Sequence, residues 1–198
     1  MAALVGACSS APAPATFDLS APTARIRGAA GVQVLVNEPV ALQALSSQQI
    51  LVKDTSGSVS FIAGGQWSDN LPRLVQTRLI NTFENASQLR GVARPSSGAV
   101  ADVQLTSELR RFEISTPGNE AVVEISAKIV SDQTGRIVNG RIFRASIPVG
   151  AVDAPNAARA LDETLSIVML DIVRWVSGSS LPRRDEPGQA MSEAQAPA

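Results

Sequence analysis

The sequence predicts an α+β two-layer sandwich: a largely antiparallel sheet with two amphipathic helices on one face. Three observations carry this expectation. Runs with apolar residues at every second position fall into two blocks, roughly residues 32–62 and 103–149. Each block leads into a segment whose apolar residues recur at three and four, opened by a capping residue and a proline. The chain has 198 residues, 44% hydrophobic and 18% charged, enough for one core without disulfides or metals.

The elements follow in order. Phe17-Asp18-Leu19 is a candidate short first strand. Val32, Val34 and Val36 alternate along a strand that stops at Glu38-Pro39. Ile50-Leu51-Val52-Lys53 and Val59-Ser60-Phe61-Ile62 flank Asp54 to Ser58, a hairpin with a Gly57-containing loop. Ser68, Asp69 and Asn70 offer N-caps and Pro72 fits a first helical turn. Leu71, Leu74, Val75, Leu79, Phe83 and Ala86 then mark one face of a helix, with Arg73, Gln76, Thr77, Asn81 and Glu84 on the other.

In the second block, Val103, Leu105 and Leu109 occupy odd positions, whereas Phe112 and Ile114 occupy even ones. That change of phase at Arg110-Arg111 predicts a β-bulge. Val123 to Ile129 is the next strand, Asp132 to Gly135 a turn, and Ile137 to Val149 the return, an antiparallel meander. Asp153-Ala154-Pro155 opens a second helix with a stripe of Leu161, Leu165, Val168, Ile172 and Val176, widened by Met169 and Trp175. Gly178 is its expected C-cap. Residues 1–16 read as a tether, 17–178 as a single domain, and 179–198, polar and rich in Pro, Ala and Gln, as a disordered tail.

Composition excludes several chemistries. With no histidine, there is no Ser-His-Asp triad, no Cys-His pair and no His-ligated metal site. One cysteine makes neither an internal disulfide nor a thiolate zinc cage. A formal net charge of −1 gives no general attraction for nucleic acid. Gly64-Gly65 lacks the glycine pattern and lysine of a phosphate loop. No catalytic residue, metal ligand or cofactor site is assigned, and the expectation is a protein that is not an enzyme.

The lone cysteine, Cys8, follows Leu4-Val5-Gly6-Ala7 and precedes Ser9-Ser10 and the stiff, extended Ala11 to Ala15. Small residues before a cysteine resemble a bacterial lipobox, in which the thiol carries a diacylglycerol and acyl chains hold the protein on a membrane. Seven residues precede Cys8 and none is basic, so a full secretory signal is not contained in this sequence. On this segment alone, a lipoprotein and a cytosolic protein with a stray terminal cysteine both stand; the Ala/Pro tether favours the lipoprotein.

Taken together, the residues resemble the ABC-type transport auxiliary lipoproteins, the family that includes PqiC. The resemblance rests on Cys8, Phe17-Asp18-Leu19, Val34 to Pro39, Ile50-Leu51-Val52, Gln66-Trp67-Ser68-Asp69 with Leu71-Pro72, and the helix through Leu79 and Phe83. Arg110, Phe112, Glu113, the Gly135-Arg136 turn, Phe143 and Trp175 complete it. It implies a fold similar to the N-terminal domain of TolB and a lipoprotein on the periplasmic side of the outer membrane, attached through Cys8. The implied partners are an MCE-domain protein and ABC transporter subunits that move lipid between membranes. Ser9 after Cys8, in place of a retaining aspartate, favours the outer membrane.

The family-motif residues Trp67, Asp69, Pro72, Phe112 and Trp175 are read as structural: Trp67 as core under the first turn of its helix, Asp69 as a cap or first-turn charge. Arg110 and Arg111 are candidates for gripping an anion but are more simply solvated or ion-paired. Glu108, Glu113, Glu120 and Glu124 are explained as charges on a sheet surface. The expected function is a non-catalytic accessory that docks on the transport assembly through a sheet edge or the loops around Gly57 and Gly64-Gly65. The alternative is a carrier that holds phospholipid between sheet and helices. A tether of residues 9–16 reaches roughly 25–30 Å when extended.

Overall fold

The computed structural model describes residues 13–28, 31–87, 89 and 91–184. The elements in chain order are β1 (Ala15–Phe17), β2 (Gln33–Val36), β3 (Val40–Ala41), β4 (Gln49–Lys53), β5 (Val59–Trp67), α1 (Leu71–Ala86), β6 (Gly91–Ala93), β7 (Val103–Ser115), β8 (Glu120–Ser131), β9 (Ile137–Pro148) and α2 (Ala154–Gly178). Pro95–Ser97 forms a single 3₁₀ turn.

β7 is the spine of the sheet. On one side β7, β8 and β9 form the antiparallel meander, with Phe112 opposite Val123 and Ile125 opposite Phe143. On the other side β2, β3 and β4 lie one after another along β7, all parallel to it: Val34 pairs Val103, Val40 pairs Glu108, and Val52 pairs Ile114. β6 extends this side beyond β2, while β5 and then β1 extend it beyond β4. The meander supplies the long ladders, yet five of the strand pairings, β1–β5, β2–β6, β2–β7, β3–β7 and β4–β7, are parallel. Alternation in a sequence reports which face a side chain takes, not the direction of the neighbouring strand, so β3, β6 and the parallel half were not legible in it.

The register of β7 against β8 shifts between Leu109 and Arg111. The bulge puts Val103, Leu105 and Leu109, then Phe112 and Ile114, all on the buried face. Both helices cover that same face, and one continuous core joins their stripes to the sheet.

Asn70 occupies the N-cap position of α1, but its side chain does not cap; its amide donates instead to the Ser46 carbonyl at 3.0 Å. Asp153 caps α2 by accepting the Asn156 N–H at 2.9 Å. Gly178 is the last helical residue rather than a left-handed cap, and the end is closed by the Ser179 N–H donating to the Val176 carbonyl at 3.2 Å. Gln76, expected on the solvent face of α1, is buried; its amide donates to the Val36 carbonyl at 2.9 Å. β2, a strand of the same sheet, lies under α1 closely enough to take that polar side chain, which a single-helix wheel does not reveal.

Gly64 and Gly65 lie inside β5 rather than in a loop. The pairing of β5 with β4 is interrupted here, Gln49 facing Gln66 while Leu51 faces Phe61. A Cβ on Gly65 would stand 2.4 Å from the Ala154 Cβ and 3.0 Å from the Phe17 ring. The absent side chain is what lets the start of α2 and β1 close on the strand.

Candidate functional site

The motif residues divide into two clusters. Trp67 ends β5 fully buried, its indole edge-on to the Phe112 ring with centroids 5.6 Å apart. The Trp67 backbone N–H donates to the Gln48 carbonyl at 2.7 Å, and the Leu71 backbone N–H donates to the Ser47 carbonyl at 3.0 Å. Pro72 is buried in the first turn of α1, where its missing N–H costs nothing. Asp69 precedes the cap position; it accepts the Asn70 N–H at 2.7 Å and meets Arg73 at 3.5 Å. This cluster fixes the turn from strand into helix.

Trp175 belongs to the second cluster. From the last third of α2 it meets Phe143 of β9, ring centroids 5.4 Å apart, and the Arg141 guanidinium lies 5.2 Å from the centre of the Phe143 ring. Arg141 had no signal in the sequence beyond its place in an alternating strand. Cys8 lies outside the described residues.

Asp18 is a positioning residue that sequence reading missed. Its carboxylate accepts the Leu19 N–H at 2.8 Å and the Ser68 hydroxyl at 3.1 Å, and pairs with Arg78 on α1. Ser20 donates its N–H and its hydroxyl to Asp162 on α2 at 2.6 and 2.7 Å, and the Ile26 N–H donates to the Ala86 carbonyl at 2.8 Å. The segment after β1 is thereby strapped across both helices. Asp18 and Arg78 are 60 residues apart in the chain, a separation that carries no periodic signal.

Partial burial opposes ionisation of Asp18, but the Arg78 guanidinium, the Leu19 N–H and the Ser68 hydroxyl outweigh it and hold the carboxyl below its usual 3.8. A depressed folded-state value means stability present above 3.8 and lost as pH falls through the lower folded value. Asp18→Asn is therefore expected to cost less than about 1 kcal/mol at neutral pH, because the pair is partly exposed. Its stability should fall less steeply than wild type below pH 4, measured by urea titration at several pH values.

Arg110 and Arg111 are ion-paired within the sheet, the simpler of the two readings, rather than poised to grip an anion. Arg110 meets Glu108 at 3.1 Å. Arg111 donates twice to one oxygen of Glu113, at 2.8 and 2.7 Å, and that carboxylate is buried. Among the described residues, no helix covers the face of the sheet on which this pair lies. Phe61 (41% exposed) and Ile142 (53% exposed) stand on it. The long β9 pairs only with β8 and leaves its other side open among the described residues.

The fold is shared by solved structures. It superposes on a Xanthomonas campestris protein, XCC0632, with a TM-score of 0.77 at 24% identity, covering 82% of this chain and 94% of that one. It also superposes on an uncharacterized protein with a TM-score of 0.64 at 12% identity, covering 84% of this chain and 100% of that one. A family model described as the ABC-type transport auxiliary lipoprotein component matches residues 16–173. The chain belongs to that family. It is 34% identical over 144 residues to the uncharacterized protein bll6063 of Bradyrhizobium diazoefficiens, and the match covers 71% of this chain but 38% of that protein. The chain thus spans well under half the length of that relative. Family membership places it among membrane-anchored envelope proteins, and no described helix is long and apolar enough to cross a membrane.

Proposed function

We propose that the protein is a non-catalytic accessory of an ABC-type lipid transport system, anchored through an acylated Cys8 to the periplasmic side of the outer membrane. There it docks an MCE-type assembly. The family match over 16–173 carries this reading. The tether enters the domain at Ala15, on β1, at one edge of the sheet; β9 is the opposite edge, five strand spacings or roughly 24 Å away. An anchor on one edge leaves the other free for a partner.

Packing favours docking over carriage. The layer between sheet and helices, where an acyl chain would lie, is filled by fully buried Trp67, Leu79, Phe83, Phe112, Leu161 and Leu165. On the surface, an open depression of about 290 Å³ is lined by Val40, Thr106, Ser107, Glu108, Ser126 and Lys128.

Two measurements test this. With its full native leader, Cys8→Ala is expected to leave the membrane fraction; retention there contradicts anchoring by this cysteine. Lipid extraction of the purified soluble domain is expected to yield no stoichiometric phospholipid, and one phospholipid per chain would favour the carrier.

A further inference from the structure

We infer that the free edge of β9 is the docking surface and that its partner is an extended, acidic strand of a transport-assembly subunit, added to the sheet by backbone pairing. The inference rests on the docking role proposed above. β9 runs twelve residues along an edge, long enough for several main-chain hydrogen bonds. Ile137 and Ile142 expose most or half of their surface along it. Beside its first residues a groove of about 550 Å³, walled by Val138, Asn139, Arg174 and Trp175, is placed to take a side chain from an added strand.

Charge selects the occupant. β9 carries Arg141 and Arg144, with Arg136 just before it, and contains no Asp or Glu. Arg144 and Arg136 are exposed and make no ion pair among the described residues, Arg144 standing opposite Glu124 of β8 in the register, and Arg141 lies against the Phe143 ring. A second copy laid antiparallel about the strand centre would set each Arg141 opposite an Arg144. β9 itself has no carboxylate to offer either arginine, so pairing of two copies through this strand is disfavoured. Arg144 and Ile142 share one face of the strand and Arg141 lies on the other, so the matching strand carries an acidic residue opposite each arginine and an apolar residue opposite Ile142.

The test is photocrosslinking in cells, using the full protein with a photoreactive phenylalanine derivative at Ile142, at Phe61 on the open face, or at Ile167 on α2. The expected result is an adduct from Ile142 to a transporter subunit, mapped to an acidic extended segment. Arg141→Glu with Arg144→Glu should lower its yield at least tenfold, and Arg141→Lys with Arg144→Lys should retain it. A subunit adduct from Phe61 or Ile167 but not Ile142 overturns the edge assignment and leaves docking standing. An Ile142 adduct to a second copy or to phospholipid also overturns the assignment. Absence of a subunit adduct from all three positions overturns the docking role and this inference with it.

Discussion

Replacing Trp67 with alanine is expected to cost about 3–5 kcal/mol, a large share of the roughly 5–15 kcal/mol that holds a domain of this size together. The side chain is fully buried and contacts Phe112 edge-on from the end of β5. Its removal opens a cavity beneath the turn into α1, where Leu71 is already held to the Ser47 carbonyl and Asn70 to the Ser46 carbonyl. Those two hydrogen bonds hold the helix away from the gap, so the loss stays near the upper end of the range. The indole N–H has no hydrogen-bond partner among the described residues. Trp67→Phe removes an unsatisfied donor along with part of the ring and should cost less than half as much. Urea unfolding of both variants checks this; a Trp67→Ala loss under about 1 kcal/mol would remove Trp67 from the core.

Gly65→Ala is expected to cost about 1–3 kcal/mol by overpacking, although it adds one methyl group. The new Cβ would lie 2.4 Å from the Ala154 Cβ, so the first turn of α2 must move away from β5. The Phe17 ring at 3.0 Å blocks relief on the other side and couples the change to β1, the strand that receives the tether. Adding Ala154→Gly should recover more than half of the loss, a coupling that a double-mutant cycle isolates. Gly178→Ala is the contrast: nothing lies within 4 Å of its Cβ position, and the residue is helical, so this change should be neutral or slightly stabilising. Equal effects at the two glycines would refute the packing argument.

Much of this fold is legible in the sequence, for reasons that residues make plain. Leu109 and Phe112 fall out of phase, which forced a bulge, and the bulge is present. Asp153 with Pro155 marks the start of α2, and its cap bond is present. The hairpin turn is equally local: the Ser56 hydroxyl and Ser58 N–H bind Asp54, and Gly57 supplies a φ of 83°. What escaped reading depends on partners distant in the chain. The parallel alignment of β2, β3 and β4 along β7 is invisible to alternation. So is the burial of Gln76 against Val36, the strap formed by Asp18 with Arg78, and the interior position of Gly64-Gly65 in β5. At the proposed docking edge, Phe143 and Trp175 stood out as motif residues, but the arginines of β9 acquired meaning only once β9 proved to be an outermost strand.

The central claim is that the protein works by holding a transport assembly. Its most direct test is affinity isolation from crosslinked cell envelopes, with the native leader and a C-terminal tag, followed by protein identification and lipid analysis. The account predicts MCE-type protein and ABC transporter subunits in the isolate, with no stoichiometric lipid on the accessory itself. Phospholipid recovered without any transporter subunit would contradict it and support an independent lipid carrier.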